Sequence, residues 1–307
     1  MDKVISVLAS CLPVFLALGL GSFCRSRQFI TREGVDTLKK VVLNITLPAV
    51  LLNAFASADY SAAAMAQPVV MFLLCCLALG LGFAVVKLAK AGGRLSGYLA
   101  SGFEAGMLGY TLFALLFPSR SVSEFALLDL GQTLFVFTVY KFLLSGKTGV
   151  KEILRDMVTS PILWAVFAGV LLGATGLYAS LHRWGVGCCL DAVTSFISAP
   201  TGMIILLTVG YDLVLKEIPW KQTGGLIAMR LTIMAVIYGI ILLLNRTMLD
   251  GQIFEGAALL MLILPPPYVI PVFADEPAER VKISSALSAL TLVSMVLFAV
   301  LSVVFHA

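Results

Sequence analysis

Runs of about twenty consecutive apolar residues recur along nearly the whole chain, parted only by short polar turns. An α-helix rises about 1.5 Å per residue, so roughly 20 residues cross a hydrocarbon core of about 30 Å. That ruler divides the sequence into about ten spans, at 4–24, 35–56, 66–89, 96–117, 123–145, 159–179, 186–210, 224–247, 254–273 and 280–305. Apolar types make up 60% of the 307 residues and charged types 12%, with a formal net charge of +4. Soluble domains run nearer about 45–50% and about 25%. A soluble globular enzyme, a disordered chain and a nucleic-acid binder are therefore excluded, and lipid is the required solvent. Backbone polar groups in lipid must be satisfied within the chain. The expected fold class is an all-α integral membrane protein.

Loop charges orient it. Fifteen of the twenty-one Lys and Arg fall in alternate loops, among them Arg25, Arg32, Lys39, Lys40, Lys87, Lys90, Lys147, Lys151, Lys216 and Arg280. Only Lys3, Arg120, Arg183 and Arg246 fall on the opposite side. Basic loops stay cytoplasmic, so both termini are expected on the non-cytoplasmic side of the inner (plasma) membrane. The apolar stretch after Lys3 is too long for a cleavable signal and reads as a retained span. The polar linker 146–158 separates a first five-helix repeat, 1–145, from a second, 159–307. Because five is odd, two like halves would enter the membrane from opposite sides, giving a 5+5 inverted repeat. Pro48 in NITLPAVLLNAF and Pro200 in FISAPTGMIILL echo one another in spans two and seven.

The residue inventory limits the chemistry. Cys11, Cys24, Cys75, Cys76, Cys188 and Cys189 form no C-x-x-C spacing, and His182 and His306 are the two histidines. The cysteines read as small packing residues, with no metal site and no cofactor expected. No H-E-x-x-H, G-x-S-x-G or G-x-x-x-x-G-K-[ST] run occurs, so neither an enzyme nor an ATP-driven pump is expected.

Pro265, Pro266 and Pro267 lie inside span nine. Proline lacks an N–H and clashes with the preceding turn, at about 3 kcal/mol in a helix interior. Three in succession require two half-helices joined by unwound backbone near Leu264–Tyr268. Such backbone persists at membrane depth only when buried in protein or lining an aqueous cavity. Span four, with Gly102, Gly106 and Gly109 in SGFEAGMLGY, is its counterpart in the first half. Two broken helices crossing at mid-depth would direct peptide N–H groups at one point, which suits an anion.

NITLPAVLLNAF, APTGMIILLTVGYDL, PPPYVIPVFADE and SSALSALTLVSM, in that order, resemble the auxin efflux carrier family of secondary transporters, whose bacterial members include malonate- and malate-type carriers. The resemblance implies a fold related to bile acid:sodium symporters. Spans one, two, six and seven would form a panel, and the remaining six a core that moves like an elevator. Homodimerisation through the panel is also implied. Where the family carries Asn and a Gly-x-x-Gly-x-Pro-like run in span four, this chain has Glu104, Gly106, Gly109 and Thr111.

Glu104 lies near mid-depth, where a charge costs at least roughly 2.5–3.5 kcal/mol. It is the candidate coupling residue, for H⁺ or Na⁺. Gln132, mid-span, can donate and accept toward a carboxylate, and the resemblance places an amide near the crossing. Asn44, one turn before Pro48, either relieves the carbonyl that Pro48 leaves unpaired or faces substrate. Tyr110 and Tyr268 flank the breaks. With Gly106, Gly109, Pro265, Pro266 and Pro267 these make up the candidate substrate site. Asp129 and Asp191 are secondary proton-path candidates, and Glu255 reads as the first-turn acid of span nine. Arg230 and Lys141 read as snorkelling cations near cytoplasmic ends; a carboxylate clamp is the other reading of Arg230. The expected function is a secondary active transporter of a small organic mono- or dicarboxylate, coupled to H⁺ or Na⁺. A passive anion channel or a membrane receptor is the alternative.

Overall fold

The computed structural model describes residues 2–89, 93–145, 155, 158–213, 220–273 and 276–306. Most of the expected linker, including Lys147, Lys151, Glu152 and Asp156, lies outside the described residues, as do Lys90 and Lys216. Every element among the described residues is helical. In chain order they are α1 (Asp2–Ser26), α2 (Arg32–Ala56), α3 (Ala62–Ala89), α4 (Ser96–Leu116), α5 (Val122–Leu144), α6 (Pro161–Ala174), α7 (Leu177–Arg183), α8 (Gly187–Asp212), α9 (Trp220–Thr247), α10 (Glu255–Ile263) and α11 (Pro277–His306).

Seven of these are long and apolar enough to cross a membrane, or eight if the α6–α7 pair, bent by 68°, is one span. Within α1 the apolar part is a shorter helix, Cys11–Ser26. The expected span nine is interrupted, as its prolines require: α10 stops after nine residues at Ile263.

The helices pack in two sets. In the first, α1 lies along the Thr201–Asp212 half of α8, and the second half of α2 lies along α6 and the first half of α8. The α1–α8 approach is close because Gly21 and Gly210 face each other's helix; a Cβ on either would run into the opposing backbone. In the second set, α3 packs on α5 and on the start of α4, and α9 packs on α3, α10 and α11. The apolar residues left on the outside, such as Leu73, Phe167, Phe196, Leu243 and Val296, suit lipid rather than water.

Proline effects are local. Pro48 has no N–H for the carbonyl of Asn44, and the backbone answers with a π-turn over Val42–Thr46, where the Leu47 N–H reaches back to the Val42 carbonyl. The Asn44 amide donates instead to the Lys40 carbonyl at 2.7 Å. The expectation that Asn44 relieves the carbonyl freed by Pro48 is therefore corrected.

A crossing of two broken helices

Both interruptions are present, and they meet. In α4 a 3₁₀ turn, Ser96–Ala100, ends in extended backbone at Ser101, and helix resumes as a π-turn over Ala105–Gly109. The break thus lies at 101–104, just before Gly106 and Gly109 rather than on them. Gly102 carries it: its φ is +71°, and a Cβ there would sit 2.9 Å from the ring of Pro267. After α10, Leu264 is extended (φ −61°, ψ 150°), the conformation a residue before proline prefers. Residues 265–267 are irregular, and a 3₁₀ turn follows at Ile270–Phe273.

The two strands of unwound backbone hold one another. The Glu104 N–H donates to the Pro265 carbonyl at 2.9 Å. In return the Glu104 carboxylate accepts the Tyr268 N–H at 2.7 Å. Glu104 also begins the second half of α4: its carbonyl accepts the N–H groups of Leu108 and Gly109. One residue therefore ties the start of a half-helix to the return of the other broken segment. Glu104 and Tyr268 are half-buried, while Pro265, Pro266 and Pro267 are buried. Gly109 abuts Leu264 and Phe125, and Gly106 faces Leu47 of α2. The Tyr268 hydroxyl lies 3.0 Å from that of Thr291 in α11.

Arg230, on α9, overturns the snorkelling expectation. It is 2% exposed. Its guanidinium donates to the carbonyls of Leu99 (2.7 Å), Gly102 (3.0 Å) and Leu264 (2.7 Å), and lies 5.5 Å from the centre of the Phe103 ring. The physical reason is depth. The helix starts at Trp220, so Arg230 stands well inside it, and the unwound backbone offers bare carbonyls closer than water. Three of its five N–H donors are taken by those carbonyls. Lys141 is half-buried, with its ammonium 5.9 Å from the centre of the Phe137 ring.

Gln132 and Tyr110 join behind the break. The Gln132 amide nitrogen donates to the Phe103 carbonyl at 3.0 Å and to Asp129 at 3.3 Å. The Tyr110 hydroxyl donates to the other Asp129 oxygen at 2.8 Å. All three side chains are buried, and the Gln132 oxygen has no partner. Asp129 thus belongs to the scaffold of the crossing. The other secondary acid, Asp191, does not: it accepts from Tyr178 and pairs with His182, each at 2.8 Å, where α7 meets α8. Glu255 opens α10 as expected. Asn44 is exposed and is not among the residues joined at the crossing. Cys188 and Cys189 are exposed too, so packing does not account for them.

Two cavities flank the crossing. One, of about 390 Å³, is lined by Arg32, Lys39, Asp212, Met107, Tyr268 and Thr291, among others. It reaches from the basic start of α2 to the Tyr268 break. Asp212 bridges both Arg32 and Lys39, and Asp36 pairs with Arg32 as well, so two acids balance the two cations at that end. The other, of about 380 Å³, has an almost wholly apolar lining that includes Pro13, Tyr110, Thr111, Thr201 and Gly202. The first is large enough for a small organic acid and combines apolar walls with a few polar groups.

These features define the class: an all-helical, multi-pass membrane protein built around two interrupted helices. No family model matches the chain. It is 27% identical over 203 residues to a protein of Methanothermobacter thermautotrophicus described as an uncharacterized transporter. That similarity covers 63% of this chain and 66% of the archaeal protein.

Proposed function

We propose that the protein is a secondary transporter that carries a small organic anion together with a proton. The observation that carries this reading is the crossing itself: an N–H of the unwound backbone, that of Tyr268, meets the Glu104 carboxylate beside a cavity that has Arg32 and Lys39 at its far end. A substrate carboxylate and Glu104 would compete for the same donor, the Tyr268 N–H. Protonation removes the Glu104 charge and yields that donor to the substrate, so anion and proton load together. The archaeal protein described as a transporter supports the class, and the auxin efflux carrier resemblance supports the carboxylate. On this reading the segments form ten spans in a 5+5 inverted repeat. The set built on α1, α2, α6–α7 and α8 is the panel, and the other set is a core that exposes the crossing alternately to the two cavities. Both termini face away from the cytoplasm across the plasma membrane, and panel-to-panel pairing would make a homodimer.

The test is uptake of labelled mono- and dicarboxylates into proteoliposomes under an imposed proton gradient. Accumulation above equilibrium that collapses with an uncoupler is expected. Equilibration without accumulation would instead mark a passive anion pathway.

A further inference from the structure

The carbonyls of Leu99 and Leu264, where the helical segments before the two breaks end, and of Gly102, inside the first break, converge on one point. Carbonyls freed at a helix C-terminus carry partial negative charge, about −0.5 per helix end. In transporters with broken helices, such unwound carbonyls are where a coupling cation is held. Here that position is filled from within the chain. One guanidinium reaches all three oxygens at 2.7–3.0 Å, and no carboxylate among the described residues pairs with it.

We infer that Arg230 is a built-in replacement for a coupling metal cation: it permanently satisfies the carbonyls that the two breaks leave bare, so the crossing has no Na⁺ requirement. Arginine suits the task because it stays charged when buried and its planar donors reach several oxygens at once. A lysine would present one compact charge to the same three carbonyls. Removing the side chain would leave three inward-facing carbonyls and a cavity of guanidinium size, which is a site for a small monovalent cation. The consequence for coupling, that protons and not Na⁺ drive the cycle, rests on the carrier reading; the satisfaction of the carbonyls itself does not.

The experiment uses the full-length protein in detergent, without substrate. Unfolding is followed in NaCl and in choline chloride at equal ionic strength, for the native chain, Arg230→Lys and Arg230→Ala. The native chain and Arg230→Lys should melt at the same temperature in both salts. Arg230→Ala should melt on the order of 10 °C lower in choline. Millimolar guanidinium or Na⁺ should return at least half of that loss, while leaving the native chain unchanged. Stabilisation of the native chain by Na⁺ over choline would overturn the inference. So would an Ala variant that melts like the native chain, or one that no cation restores. If Arg230→Ala cannot be purified, the native and Lys comparisons still decide. None of these readouts involves transport, so failure to accumulate an anion would remove the carrier reading and leave this result standing.

Discussion

Replacing Glu104 with Gln isolates the charge on which the proposed coupling turns. Gln keeps the length of the side chain and an oxygen that can accept the Tyr268 N–H, which Glu104 now takes at 2.7 Å. A hydrogen bond to a charged acceptor contributes about 1.5–3 kcal/mol and one to a neutral acceptor about 0.5–1.5 kcal/mol. The substitution therefore gives up roughly 1–2 kcal/mol at this contact, a factor of about 5–30 in the competition with a substrate carboxylate. Two outcomes follow. In the native chain the anion binds with a proton, so its affinity should fall as pH rises above the titration of Glu104, by up to about tenfold per unit. In Glu104→Gln the affinity should no longer depend on that titration, and at alkaline pH it should exceed the native value by about 5–30-fold. Proton-driven accumulation should be lost while exchange of labelled for unlabelled anion persists. Reconstituted protein, assayed by equilibrium binding, counterflow and gradient-driven uptake, gives all three readouts. Gradient-driven accumulation in Glu104→Gln at the native level would refute the argument.

Gly102→Ala places a Cβ at φ +71° and 2.9 Å from the Pro267 ring, so both backbone strain and a clash oppose it. A loss of about 2–3 kcal/mol is expected, read as a melting point lower by roughly 5–10 °C. Asp212→Asn releases Arg32 and Lys39 at one end of the larger cavity. These groups are partly exposed, so stability should change by less than about 1 kcal/mol. Anion uptake at low ionic strength should quicken a few-fold, and the gain should vanish in high salt; slower uptake at low salt would contradict the assignment of the basic end. Cys188 and Cys189 are exposed at the start of α8, which the proposed topology puts on the same side as the termini. A membrane-impermeant maleimide applied to intact cells should label the native chain and not a Cys188→Ser, Cys189→Ser double variant; labelling only after lysis would invert the topology.

The elements were legible because their causes are local. Helix ends follow apolar runs, and the interruption after Ile263 follows from three residues that cannot donate a backbone hydrogen bond. The partners at the crossing were not, because they are distant backbone groups without a residue signature. Glu104 stood out as an acid in an apolar span, yet the N–H it holds lies 164 positions away. Arg230 binds carbonyls 131, 128 and 34 positions distant, which no spacing rule reports. Its depth in α9 was the available clue, since a cation so far from the helix end cannot reach water as readily as the backbone beside it. The partners of Asp129 were not legible for a related reason. Its relation to Tyr110 and Gln132 depends on how α5 packs behind the break.

Taken together, Arg230 and Glu104 give the crossing a fixed positive charge and a removable negative one. On the carrier reading this makes coupling obligatory without a gate. In the empty state Glu104 supplies the negative charge at the half-helix start; in the loaded state a substrate carboxylate supplies it and Glu104 holds a proton. The core then moves with the same charge on both legs of the cycle. An anion arriving without its proton would add a second negative charge beside buried backbone, a cost of several kcal/mol that the mobile core avoids by waiting. A monocarboxylate therefore crosses with no net charge. A dicarboxylate carries one further negative charge, and its transport must respond to the membrane potential.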